Sequence, residues 1–121
     1  MSEYTREEIQ SMTEPQLQIE AAKFLGWEKL FIHGLETVWY VDKTGRNHPN
    51  PPPADWETAG AITEALISKF SLSDYKQAVE LFYTQADRKW FCMINNKKQS
   101  ITGEDKTAFK AVVRAALMVN L

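Results

Sequence analysis

The chain has 121 residues, of which 44% are hydrophobic, 25% charged and 12% aromatic, values that fit one globular domain spanning 1–121 and leave no room for two. Its formal net charge of −2 argues against general DNA or RNA binding, because such affinity comes largely from many phosphate contacts. No apolar run approaches the roughly 20 residues that span a bilayer, Met1-Ser2-Glu3-Tyr4 is too polar for a secretory signal, and one cysteine, Cys92, excludes an internal disulfide. The expectation is a cytoplasmic protein with no membrane partner.

Thr5-Arg6-Glu7-Glu8 and Thr13-Glu14-Pro15-Gln16 both read as capping boxes, a hydroxyl followed three residues later by Glu or Gln. The first predicts a short helical extension over 5–12. The second opens a helix over 14–25 in which Leu17, Ala21, Phe24 and Leu25 share a face and Gly26 ends the run. Stretches 29–32 and 37–41 are rich in β-formers, are split by His33-Gly34-Leu35 and close on the turn Asp42-Lys43-Thr44-Gly45, which predicts a hairpin. The four prolines in 46–53 hold the chain extended and forbid helix or central strand there.

Asp55 then offers an N-cap, and Ala59, Ile62, Leu66 and Phe70 keep helical spacing to about residue 70. Val79, Leu81 and Tyr83 alternate with Glu80, Phe82 and Thr84, while Trp90, Cys92 and Ile94 alternate with Phe91 and Met93, predicting a second hairpin. Residues 95–98 read as a turn and 99–101 as a short edge strand. Thr102-Gly103-Glu104-Asp105 leads into Ala108, Val112, Ala115, Ala116 and Val119, a periodic helix to the end of the chain. The order α-β-β-α-β-β-α implies an α+β fold, an antiparallel sheet of two hairpins sandwiched by helices.

Charge is distributed unevenly: residues 1–25 carry five acids and two bases, 26–87 nine and five, and 88–121 two and seven, or −3, −4 and +5. A locally basic last quarter suits a compact anion better than a polyanion. Within it Lys106, Lys110 and Arg114 recur at i, i+4 and i+8, which on a helix stacks three cations along one face. That stripe is either a solvated helix face or a phosphate-binding row, with Arg114 offering a planar fork from otherwise apolar surroundings.

The aromatics form a second feature. Trp90 and Phe91 point to opposite faces of one strand, as do Phe82 and Tyr83, so helices on only one face would leave rings free to stack on a base. Asn95 is placed to read a polar edge or simply to make a turn. Two histidines and one cysteine, none at ligand spacing, predict no metal site and no cofactor. Cys92 in an apolar alternating strand reads as a buried thiol, and no nucleophile elbow, phosphate loop or zinc-helix motif occurs. No catalytic residues are expected.

Phe24-Leu25-Gly26-Trp27, a hairpin holding Trp39, a proline loop leading to Asp55, Trp90 in a later strand and the closing Ala111-Val112-Val113-Arg114-Ala115-Ala116-Leu117 together resemble the phage ABA-sandwich domain family over about residues 13–120. Pro52-Pro53-Ala54-Asp55 stands where that family usually has Tyr-Ser-Thr-Asp. The resemblance implies a small phage protein acting in the cytoplasm of an infected bacterial host. Proteins similar in size and layout include anti-Thoeris sponge proteins, non-catalytic counter-defence proteins that sequester cyclic ADP-ribose signals, with relatives that hold cyclic oligonucleotides. On that reading Phe82, Trp90 or Phe91 would stack on adenine, Asn95 would read an edge, and Arg114 with Lys110 and Lys106, and more remotely Arg46, would hold phosphates.

Two charge-assisted contacts and one or two stacked rings supply roughly 8 kcal/mol, near micromolar binding. A sponge needs about 4 kcal/mol more, so the expectation is a homo-oligomer with its site at a subunit interface. The competing expectation is a small phage accessory or interaction protein with no small-molecule ligand.

Overall fold

The computed structural model describes residues 4–31, 38–71, 78–95 and 100–119. Both capping boxes form. Thr5 and Thr13 each accept from the backbone three residues on, and Glu8 and Gln16 reach back to the cap N–H, starting α1 (Arg6–Ser11) and α2 (Glu14–Phe24). α2 ends in a Schellman motif: Gly26 takes φ +80°, its N–H bonds Lys23 O at 3.1 Å, and Trp27 N–H bonds Ala22 O at 2.8 Å. That helix end fixes where Trp27 begins.

The first hairpin is β1 (Glu28–Phe31) against β2 (Val38–Val41), and its connection over 32–37 lies outside the described residues. β2 continues through the Asp42 turn to a two-residue strand, β3 (Asn47–His48), formed just before the prolines where an edge position needs no further ladder. Asp55 caps α3 (Trp56–Ser71), its Oδ1 accepting from Thr58 N at 2.9 Å. The second hairpin is β4 (Ala78–Thr84) against β5 (Lys89–Asn95). The expected turn over 95–98 falls largely outside the described residues.

Two features depart from the sequence expectation. Ser100–Asp105 is a full strand, β6, paired along β5, where a short edge strand and a helix lead-in were expected. The reason is tertiary: Ile101 and Gly103 are buried against α4 (Ala108–Met118), which overrides the weak β propensity of Gly, Glu and Asp. Second, the α+β class and antiparallel pairing hold, but the hairpins enter separate three-stranded sheets, β1-β2-β3 and β4-β5-β6.

α4 lies on the inner face of β4-β5-β6, touching Cys92, Ile94, Ile101 and Gly103, and α1, α2 and α3 pack around it. Gly103 sets the approach: a Cβ there would overlap the Ala111 carbonyl and the Ala115 nitrogen. Ile9, Leu17, Ile62, Leu66, Phe109 and Val112 fill the centre, so the extension carrying Ile9 is part of the core. Among the described residues no helix is long and apolar enough to cross a membrane.

Candidate functional site

The structure brings together only some of the eight expected binding residues and scatters the rest over both sheets and α4. α4 begins after its cap Thr107, so Lys106 precedes the helix and the three-cation stripe does not exist as such. Lys106 is exposed, Lys110 half-buried, and Arg114 only 8% exposed. Arg46 sits on the β2–β3 turn of the other sheet, its backbone N–H bonding Asp42 Oδ1 at 3.0 Å.

Arg114 is a structural tie. Its Nε and one terminal nitrogen hold Asp105 Oδ2 at 3.2 and 3.1 Å, and its remaining donors reach the carbonyls of Ile9 and Met12 at the end of α1. These oxygens lie at the C-terminal end of α1, where Ile9 O also accepts from the cap Met12 N–H at 3.3 Å, and one guanidinium reaches both. The expected phosphate fork is therefore corrected: its donors face the protein.

Phe82 and Phe91 lie on the outward face of β4-β5-β6, stacked with centroids 5.5 Å apart and planes 16° from parallel. Asn95 lies five residues along β5 from Trp90, roughly 17 Å by strand rise, and its Oδ1 accepts from Ser100 Oγ at 2.6 Å. None of the three shares a face with Trp90, which points inward opposite Tyr83.

Trp90 and Lys106 do come together. They line a notch of ≈ 230 Å³ with Ala54, Asp55, Trp56 and Thr107. Trp90 lies 5.3 Å from Trp56 and 5.5 Å from Tyr83 between ring centroids, both tilted, while Trp56 is 63% and Tyr83 46% exposed. Half-exposed rings in mutual contact, with an ammonium beside them, offer stacking surface and a counter-charge to a planar anion. No family model, curated protein or solved structure matches this chain.

Trp56 and Tyr83 were absent from the expected set. Tyr83 carried a usable signal, since it alternates onto the same face as Trp90; Trp56 did not, because its place depends on how α3 meets β5. Cys92 is fully buried between β4 and β6, and burial pushes its thiol up to about 11, so it stays protonated at neutral pH. His48 bonds Asp42 Oδ2 at 2.8 Å and stacks on Trp27, whereas His33 lies outside the described residues. Among the described residues no three His, Cys, Asp or Glu groups converge as a metal site would require.

Proposed function

We propose that the protein is a non-catalytic binder of a small nucleotide signal, held at the Trp56–Trp90–Lys106 notch. The observation that carries this reading is the exposed Trp56–Trp90–Tyr83 cluster with Lys106 on its rim. Base stacking on such rings contributes about 1–3 kcal/mol per base, and Lys106 supplies a point charge for a phosphate. The resemblance to phage sponge proteins supplies the biological sense: sequestration of a cyclic ADP-ribose type signal, or a cyclic oligonucleotide, in an infected bacterium.

At ≈ 230 Å³ the notch is smaller than the roughly 300–1,000 Å³ that buries a drug-sized ligand. Tight retention on this reading requires a second copy to close over the exposed rings, which makes the protein a homo-oligomer with its site at the interface. A second reading is favoured by the outward Phe82, Phe91 and Met93 surface of β4-β5-β6, that of a phage accessory protein docking another protein there and holding no small molecule.

A depletion-and-release assay separates the readings. The protein is mixed with cyclic ADP-ribose isomers and cyclic oligonucleotides, filtered, then heat-denatured, and free ligand is quantified at each stage. Depletion with recovery of intact ligand, reduced at least about tenfold by Trp56→Ala or Lys106→Glu, is expected. Recovery of an altered product would make the protein an enzyme, and no depletion would favour the accessory reading.

A further inference from the structure

A second concavity lies across the 52–58 segment from the notch. Residues 54, 55 and 56 line the notch, whereas Pro52, Pro53, Glu57 and Thr58 line a larger cleft of ≈ 440 Å³ with Leu25, Trp27, Asp42, Lys43 and Ala61. The Schellman end of α2 delivers Trp27 to one wall. His48 stacks on that indole at 4.5 Å and 18° and is not itself a wall residue, so it backs the ring and holds it in place. The prolines form a stiff second wall, fastened to α2 by Gln18 Nε2 donating to Pro52 O at 3.1 Å.

Thr58 gives this cleft its chemistry. It is 7% exposed and lines the cleft, and its hydroxyl makes no hydrogen bond among the described residues. A helical threonine can turn its hydroxyl onto the carbonyl four residues back, and Thr63 on the same helix does so with Ala59 O at 2.8 Å. Thr58 does not. A buried hydroxyl without a partner is unfavourable, and the space it faces is the cleft.

The surrounding charges choose among ligands. Asp42 and Glu57 place two carboxylates on the walls against one ammonium from Lys43, a negative balance that repels phosphates and carboxylates and favours N–H donors. Asp42 remains ionised because His48, then Thr44, hold its carboxyl well below the usual range. We propose that this cleft binds an uncharged amino-heteroaromatic ring of nucleobase type, stacked on Trp27, walled by Pro52 and Pro53, and bonded at its polar edge by the Thr58 hydroxyl. The site is independent of the Trp56–Trp90 notch and needs no phosphate.

The test is an NMR titration of the intact ¹⁵N-labelled protein with free adenine and free cytosine, following the tryptophan indole N–H signals assigned through single Trp→Phe variants. The Trp27 signal is expected to move saturably with one of the two bases, and Thr58→Val is expected to weaken that binding about tenfold or more while leaving the thermal midpoint equal or higher. No saturable movement of Trp27 with either base, movement confined to Trp56 or Trp90, unchanged affinity in Thr58→Val, or a lowered midpoint in that variant would each overturn the proposal. Because neither probe carries phosphate, its failure leaves the notch reading standing, and loss of signal binding in Trp56→Ala leaves this one standing.

Discussion

The two sheets are built from strands of comparable chemistry yet are held by different forces. β4-β5-β6 is pressed onto α4 through Cys92, Ile94, Ile101 and the bare backbone of Gly103, with Phe109 and Val112 fully buried nearby. β1-β2-β3 has no helix packed broadly across it among the described residues. It is held at its margin by the Trp27–His48 stack, by the Lys43 side chain lying over Gly26, and by one organised turn in which Asp42 Oδ1 accepts from Thr44 N, Thr44 Oγ1 and Arg46 N at 2.9, 2.6 and 3.0 Å. Apolar burial scales with area and gives one sheet the strength of the core. Polar and ring contacts give the other a definite position with far less to lose on opening.

The sharpest way to break this comparison is Gly103→Val. Branched atoms would have to enter the backbone of α4, so a loss of about 3 kcal/mol or more in denaturant-measured stability is expected, and a near-neutral result would mean that α4 is not seated as described. Arg114→Met comes next. It leaves the half-buried Asp105 carboxylate unpaired and takes the guanidinium from the Ile9 and Met12 carbonyls, with an expected loss of about 3 kcal/mol and no change in ligand affinity of the folded fraction. Weakened ligand binding by that fraction would put Arg114 back in a site.

Acid should act on the other sheet. The folded-state pKa of Asp42 is depressed, chiefly by the His48 hydrogen bond and then by Thr44, so its contribution is complete above the ordinary carboxylate range and is lost as pH falls through that range toward the lower folded value. Hydrogen exchange at the Thr44 and Arg46 amides, corrected for intrinsic rates, should therefore speed up in acid before that at Cys92 or Ile94, and Asp42→Ala should make those two amides fast at every pH and abolish the acid response. The smallest effect is expected from Lys89→Ala: its ion pair with Glu104 spans 3.7 Å between two exposed side chains, and less than about 0.5 kcal/mol should change.

Local chemistry was readable wherever the partners are neighbours in sequence. Thr5 with Glu8, Thr13 with Gln16, Asp55 before α3 and Gly26 after α2 each satisfy backbone groups within a few residues, and each formed as the pattern implies. What escaped depends on distant groups. β6 is a strand because β5 and α4 receive it, and Arg114 reads as a surface cation until Ile9 and Met12, more than a hundred residues earlier, present their carbonyls. The notch was half legible, since Trp90 and Lys106 were among the expected residues, while Trp56 joined them only through the packing of α3. Thr58 was invisible for a related reason: spacing marks it as a helix residue, and only the tertiary structure shows that its hydroxyl was left over.

The Arg114 tie also orders events in time. During synthesis the segment carrying Ile9 and Met12 emerges long before residue 114 exists, and closing so long a loop brings a large entropy loss before any contact compensates it. Until α4 is made, Ile9 lacks most of the core it enters, and the end of α1 has no guanidinium to hold its carbonyls. The first helix of this chain is therefore the last to be secured, and a nascent chain stalled before residue 114 would keep that segment open to proteases and chaperones.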